Sequence, residues 1–297
     1  MRALRVKAVV TGAGGQLGQA LVAHPPADGE VVGVPRASLD IADPVAVADM
    51  LRRLRPDVVV NAAAYTAVDR AETEPEAARR VNAEAPGVLA SACRGVGARL
   101  VHVSTDFVFD GGGGAPLTPE SPTEPLSVYG ATKLEGERRV LDAMPDALVV
   151  RTAWVCSAHG RNFMNTMLRL MRERGEVRVV CDQFGTPTFA GDLAQAIWGL
   201  VGAGASGIRH WTQSGTASWY DFAEAIRREG QNRDLLGTEA RVVPISTEEF
   251  PTPARRPRFS VLDCSLAYTT LGATARHWQD ALAETLAEVA RVEQQNA

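Results

Sequence analysis

The sequence predicts an α/β fold, a doubly wound parallel sheet of the Rossmann type with a smaller C-terminal substrate-binding lobe. Three observations carry that expectation. Short runs rich in β-branched residues recur through the first half, segments with helical spacing separate them, and a glycine-rich turn joins the first run to the first helical segment. Near-continuous apolar strands need cover on both faces, and alternating helices supply it.

The runs fall at residues 6–11, 31–34, 58–61, 100–104 and 148–152, and the helical segments between them at 16–23, 44–54, 75–94 and 128–141. Pro44 and Pro75 open two of these helices, where a missing amide leaves no bond unmade. Beyond 152 the alternation loosens into a helix over 162–174, a strand over 177–180 and helices near 191–200, 219–228 and 278–292. Pro244, Pro251, Pro253 and Pro257 mark a loop-rich approach to the C-terminus, and Gly111 to Gly114 read as a flexible loop.

A chain of 297 residues, 45% hydrophobic and 22% charged, is long enough for a large core and an appended lobe. Its net charge of -4 offers no general attraction to nucleic acid or anionic membrane, so neither is expected as a partner. No apolar run approaches the ~18 residues of a membrane span, and Arg2, Arg5 and Lys7 lead into a strand-like run instead of a secretory leader. Cys93, Cys156, Cys181 and Cys264 are scattered, which suits reduced thiols in the cytoplasm. His24, His102, His159, His210 and His277 lie at no ligand spacing, so no zinc is expected.

The first strand ends in Thr11-Gly12-Ala13-Gly14-Gly15-Gln16-Leu17-Gly18. Gly12 permits a tight turn, Gly15 lets a pyrophosphate approach the backbone, and Gly18 lets the helix pack close to the sheet. The helix start at Gln16 and Leu17 offers free amides to phosphate. Arg36 follows the second strand, where an NAD-specific protein usually carries an acid, so NADPH is favoured with NADH as the alternative; a solvated arginine is the competing reading. Asp40 and Ile41 are placed beside the adenine. Residues 1–152, joined by 186–210, then form the dinucleotide-binding domain, and 153–185 with 211–297 the smaller lobe.

The fourth strand ends in Ser104-Thr105-Asp106, and the next helix carries Tyr129-Gly130-Ala131-Thr132-Lys133. Tyrosine and lysine four residues apart share a helix face, so the ammonium is expected to ease ionisation of the phenol. With a hydroxyl from the strand end to hold a carbonyl oxygen, the set suits carbonyl reduction.

These residues resemble the extended short-chain dehydrogenase/reductase superfamily and, within it, the dTDP-4-dehydrorhamnose reductases. The resemblance rests on Gly15-Gln16-Leu17-Gly18, residues 61–69 with Asn61, the Ser104-Thr105-Asp106-Phe107 strand end and the Tyr129–Lys133 pair. It extends through Arg151-Thr152-Ala153-Trp154, Asn162-Phe163, residues 182–188 and Arg256-Pro257. It implies NAD(P)H-dependent reduction of the 4-keto group of a dTDP-6-deoxyhexulose, dTDP-4-dehydro-L-rhamnose or a close relative. Tyr129 would donate the proton, Lys133 would bind the nicotinamide ribose and Thr105 would orient the carbonyl. Ala63, Ala64 and Tyr65 would line the cofactor; Val68, Asp106, Trp154, Asn162 and Arg256 would contact the nucleotide sugar.

Blander readings stand beside these: Trp154 as a core aromatic, Asn61 as a turn residue, Arg256 as a solvated charge. Phe107 replaces a tyrosine common in the family, and Cys156 a common aromatic. Gly191 stands where some relatives hold a metal-binding glutamate, so metal-bridged dimerisation is doubtful while a homodimer is left open. A nucleotide-sugar epimerase or dehydratase, and a regulatory subunit of the methionine adenosyltransferase type, are the competing functions.

Overall fold

The computed structural model describes residues 6–27, 29–236 and 240–295, so Arg2 and Arg5 lie outside the described residues. Along the chain run β1 (Lys7–Thr11), α1 (Gln16–Ala23), β2 (Glu30–Val34), α2 (Pro44–Leu54), β3 (Val58–Asn61), α3 (Val68–Ala71), α4 (Pro75–Arg79), α5 (Ala85–Val96), β4 (Arg99–Thr105), α6 (Val128–Ala143) and β5 (Leu148–Thr152). There follow β6 (Val155–Cys156), α7 (Phe163–Arg174), β7 (Glu176–Val180), β8 (Phe184–Gly185), β9 (Thr188–Phe189), α8 (Ala190–Gly202), β10 (Gly207–His210), β11 (Ala217–Ser218), α9 (Trp219–Gln231), β12 (Arg241–Ile245), α10 (Ser265–Leu271) and α11 (Trp278–Gln295).

Six strands form one parallel sheet in the order β10-β5-β4-β3-β1-β2. The chain turns back between β1 and β3, and at such a switch point the connections diverge and leave a crevice at the carboxyl ends. One sheet face buries Val9, Val59, Leu100 and Val149 against α2 and α5. The other buries Val10, Val60, Val101 and Val150 against α1 and α8. A third core gathers Met164, Met171, Val177, Phe222, Ile226, Val242, Leu282 and Leu286 from α7, β7, α9, β12 and α11. Helix α10 packs on α8 and β10, so its Ala267 joins the core of the sheet.

The helix expected over 75–94 is divided. A π-helical turn, Arg80–Glu84, separates α4 from α5. Pro86 has no amide to return to the Asn82 carbonyl, and its ring would crowd that oxygen; the wider turn relieves both. Strand β12 contains Pro244 and pairs only with β7, in a ribbon whose outer side asks no amide of it.

Candidate active site

The glycines of the first loop divide by what confines them. Gly12 has φ +71°, and a Cβ there would lie 2.6 Å from the Ala63 amide nitrogen. A Cβ on Gly18 would lie 2.1 Å from the Gly12 carbonyl oxygen, so helix and loop touch backbone to backbone. Gly15 is exposed, has φ -84°, and a Cβ there would meet nothing nearer than the Gly12 oxygen at 3.4 Å. The fold has no need of a glycine at 15, whereas a phosphate drawn against its backbone would. No side chain caps α1, which leaves the amides at Gln16 and Leu17 for an anion. These residues fit a dinucleotide.

Asn61 ties the strand ends together. Its Oδ1 accepts from Thr11 Oγ1 at 2.8 Å and from the Ala63 amide at 3.2 Å, which orients its Nδ2 to donate to His102 Nδ1 at 3.1 Å. Burial and the charge of Lys133 hold His102 neutral, far below the usual imidazole range, and its proton therefore sits on Nε2. Asn82, on the π turn, accepts from the Tyr65 amide at 2.8 Å and donates to the Tyr65 carbonyl at 3.1 Å. The segment Ala63, Ala64 and Tyr65 is thereby held across the switch point. The Tyr65 hydroxyl donates to Glu74 at 2.6 Å. Arg36 is exposed and makes no hydrogen bond to another described residue, although its charge acts on Asp40. Asp40 pairs with Arg80 and accepts from the Ala42 amide, and both hold its carboxyl below the usual range. Ile41 is buried in the core beneath.

Ser127 caps α6 by accepting from the Gly130 amide at 3.2 Å, and Gly130 lets that first turn press on Phe107, whose oxygen would lie 2.2 Å from a Cβ there. Tyr129 and Lys133 are thereby set beside the end of β4. Lys133 is 2% exposed and donates to the Val103 carbonyl at 2.7 Å; burial pulls it down to about 8 while Glu137 works against that. Tyr129 lies edge-on to Phe107, ring centroids 5.5 Å apart. The expected easing of its ionisation is not what the structure shows. Burial and the charge of Asp106 push the phenol up to about 12, outweighing hydrogen bonding with Thr105, and Lys133 spends its proton on a carbonyl. A phenol so placed is a proton donor at neutral pH.

Thr105 caps the turn that follows β4 by accepting from the Phe107 amide at 3.2 Å, and donates to Asp106 Oδ1 at 3.0 Å. Asp106 is 1% exposed, with its other oxygen taken by Ser260 Oγ at 2.6 Å. The side chain, expected on the nucleotide sugar, has both oxygens engaged within the protein behind Thr105.

Two residues past the end of β5 stands Trp154, with a left-handed backbone at φ 47°. Its ring stacks on Trp219 with centroids 3.4 Å apart, and a Cβ on Gly185 would lie 2.7 Å from it. A bulky residue held in that conformation needs its surroundings to enforce it, as at ligand-binding sites. Asn162 caps α7 and donates to Gln16 Oε1 at 2.8 Å, an oxygen that also accepts from Ser157 at 2.9 Å. Gln16 and Asn162 are thus spent on each other, joining the glycine loop to the next lobe. Arg256 grips Asp69 with both terminal nitrogens, at 2.8 and 3.0 Å, and so closes the 252–256 loop onto α3 beside Val68. The expected free cation for a diphosphate is accordingly an internal clasp.

Sequence reasoning missed Asn82, Ser157, Trp219, Ser260 and the buried pair Arg151–Glu137, bidentate at 2.7 and 2.9 Å. Trp219 opens a helix with the pattern Ser218…Asp221, a legible capping box, but nothing in that pattern says where its ring points. Among the described residues no three His, Cys, Asp or Glu side chains are grouped to hold a metal, and Asp192 is engaged by Arg276 and Gln213.

Known proteins match this chain along most of its length. The family model described as RmlD substrate binding domain matches residues 6–291. A Burkholderia thailandensis protein named dTDP-4-dehydrorhamnose reductase is 43% identical, over 93% of this chain and 97% of its own. A Streptomyces niveus protein named dTDP-4-keto-6-deoxy-D-glucose reductase is 44% identical, over 93% of this chain and 95% of its own. The solved structure of a Bacillus anthracis dTDP-4-dehydrorhamnose reductase in complex with NADP superposes with a TM-score of 0.90 at 33% identity, covering 96% of this chain and 100% of that one. The chain belongs to the RmlD substrate binding domain family, an extended short-chain dehydrogenase/reductase lineage.

Proposed function

We propose that this chain is an NAD(P)H-dependent oxidoreductase that reduces the 4-keto group of a dTDP-6-deoxyhexulose, with dTDP-4-dehydro-L-rhamnose the favoured substrate and dTDP-L-rhamnose the product. The observation that carries the reading is the convergence of Tyr129, Lys133 and Thr105 at the carboxyl ends of the sheet, one strand from an uncapped helix start. The nicotinamide supplies the hydride. Tyr129 keeps its proton at neutral pH and gives it to the carbonyl oxygen as charge develops there. Lys133, set beside the end of β4 by its bond to the Val103 carbonyl, would hold the nicotinamide ribose, and Thr105 would orient the carbonyl.

Gly12, Gly15, Gln16, Leu17 and Gly18 cradle the pyrophosphate through the backbone, and Ala63, Ala64 and Tyr65 bound the cofactor on the far side of the switch point. Arg36, with no hydrogen bond to another described residue, favours NADPH, as does the NADP-bound relative. The nucleotide sugar lies between this face and Trp154, with Val68 at its rim. Residues 1–152 with 186–210 serve as the cofactor lobe and 153–185 with 211–297 as the sugar lobe, α10 packing back on the former. No described helix is long and apolar enough to cross a membrane. The test is oxidation of NADPH, and separately NADH, with dTDP-4-dehydro-6-deoxy-D-glucose, with and without a 3,5-epimerase. Oxidation only with the epimerase supports the rhamnose reading. Oxidation without it transfers the assignment to another deoxyhexulose, the substrate in the name of the Streptomyces relative. Tyr129→Phe should keep cofactor affinity and lose turnover by orders of magnitude.

A further inference from the structure

The Thr105 hydroxyl is committed within the protein. A threonine oxygen carries one proton and two acceptor sites. In the structure the proton points to Asp106 Oδ1 at 3.0 Å, and the oxygen accepts from the Phe107 amide at 3.2 Å. Tyr129 hydrogen-bonds to the same hydroxyl, so the group has no proton left to offer a carbonyl oxygen, which needs a donor. Asp106 is the reason. As a carboxylate it only accepts, and it draws in the Ser260 proton at 2.6 Å as well as that of Thr105.

Protonation of the carboxyl reverses the pattern. With Ser260 still donating to Oδ2, the acid proton resides on Oδ1 and is given to Thr105, whose own hydrogen is then free to turn outward. We propose that Asp106, held by Ser260, is a positioning residue that sets the direction of the Thr105 hydroxyl, releasing it as a donor to the substrate carbonyl only while the carboxyl carries its proton. The inference rests on the carbonyl-reductase reading above and specifies how that site is switched.

The surroundings bring protonation of the carboxyl close to neutral pH. Asp106 is 1% exposed, and burial raises it to about 6 despite the two hydroxyls and the amides of Asp106 and Phe107. Of the groups facing it, α6 contributes Tyr129, whose phenol its charge disfavours ionising, and Lys133, which is bonded to the Val103 carbonyl. The segment bearing Ser260 contributes no cation: Arg258 is directed to Glu248, and Asp263 caps Ser265. Among the described residues no cation therefore holds Asp106 as an anion. The proton is conserved through the cycle, since Tyr129, not Asp106, supplies the one that ends on the product.

The test compares kcat/KM against pH for the wild-type chain, Asp106→Asn and Ser260→Ala, alongside the carboxyl stretching band in infrared difference spectra. Asparagine donates to Thr105 and accepts from Ser260, so it copies the protonated acid permanently. The wild type should lose activity about tenfold per pH unit above the Asp106 titration. Asp106→Asn should lack that limb, and Ser260→Ala, having lost a donor to the anion, should move it upward by about one unit. NADPH binding, followed by fluorescence, should be unchanged in both. A limb that persists in Asp106→Asn, or that stays in place in Ser260→Ala, overturns the proposal; should the asparagine variant not fold, the serine variant decides. A wild type that reduces no nucleotide 4-ketosugar refutes the function reading instead. The infrared band then decides the switch: it must titrate and shift upward in both Ser260→Ala and Thr105→Val, and a band that ignores Thr105→Val overturns it.

Discussion

Replacing Gly18 and Gly15 separately by alanine should split the glycine loop into a structural and a ligand-facing half. At Gly18 the new Cβ would lie 2.1 Å from the Gly12 carbonyl oxygen and 2.7 Å from the Ala13 Cα, both backbone atoms that no rotamer change can remove. An ordinary contact needs more than an ångström of additional room, so α1 must slide on the loop, and overpacking of this kind costs about 1–3 kcal/mol or more. With an unfolding entropy near 2.1 cal/mol/K per residue, a chain of this size loses about 2 °C in apparent Tm per kcal/mol, hence roughly 2–6 °C. At Gly15 the contact is 3.4 Å and φ is negative, so stability should stay within about 0.5 kcal/mol of the parent. Its methyl instead occupies the approach of the pyrophosphate, and NADPH affinity should fall tenfold or more. Differential scanning fluorimetry and a fluorescence titration of NADPH read the two effects. A Gly15→Ala chain that binds NADPH as the parent does, or a Gly18→Ala chain with an unchanged Tm, refutes the division.

Glu137→Gln leaves the Arg151 guanidinium, 2% exposed, without its countercharge, and should cost about 3–5 kcal/mol in urea unfolding. Arg256→Ala should lower the urea midpoint at neutral pH, and the difference from the parent should shrink as pH falls below about 4. The sign follows from Asp69: Arg256 holds its carboxyl below the usual range, so the pair stabilises above the unfolded value and fades as the folded carboxyl protonates. Lys133 falls to about 8 from an ordinary 10.5, so between those values the unfolded chain binds one more proton and stability should rise with pH. Lys133→Met should lack that rise in urea midpoints measured across the interval.

The sheet was legible because its strands announce themselves: Val58, Val59 and Val60 form a run no helix would favour, and each is buried on β3. The glycine loop and the Tyr129–Lys133 pair were legible because their chemistry depends on local spacing. What escaped was set by distant partners. Ser260 stands 154 residues from Asp106 and Asn162 stands 146 from Gln16, and neither separation leaves a periodic trace. Arg256 was expected on the nucleotide sugar, yet in the structure it pairs with Asp69, because a guanidinium in a folded chain pairs with whichever carboxylate the loops bring near. Strand β10 carries a single large apolar residue, Ile208, so its place beside β5 depends on α8 returning the chain to the sheet edge.

The buried polar residues explain why function and register coincide at the carboxyl ends. Thr11 pairs in register with Asn61, and Asn61 with His102, while Ser104 and His210 both flank Arg151. Side chains alternate along a strand, so these residues crown the face whose lower rows are Val9, Val59, Leu100 and Val149. The band spans five strands beneath α6, which contributes Glu137 to Arg151 and Lys133 to the Val103 carbonyl. A slip of one residue in any strand would carry Asn61 or Arg151 to the opposite, apolar face and leave its polar atoms unmet, at about 1–3 kcal/mol or more for each group. The polar band therefore penalises misregistration far more than valines alone would, and it does so at the level where Thr105, Tyr129 and the glycine loop must meet within a fraction of an ångström. Precision at the site and fidelity of the sheet are one requirement, satisfied by the same side chains.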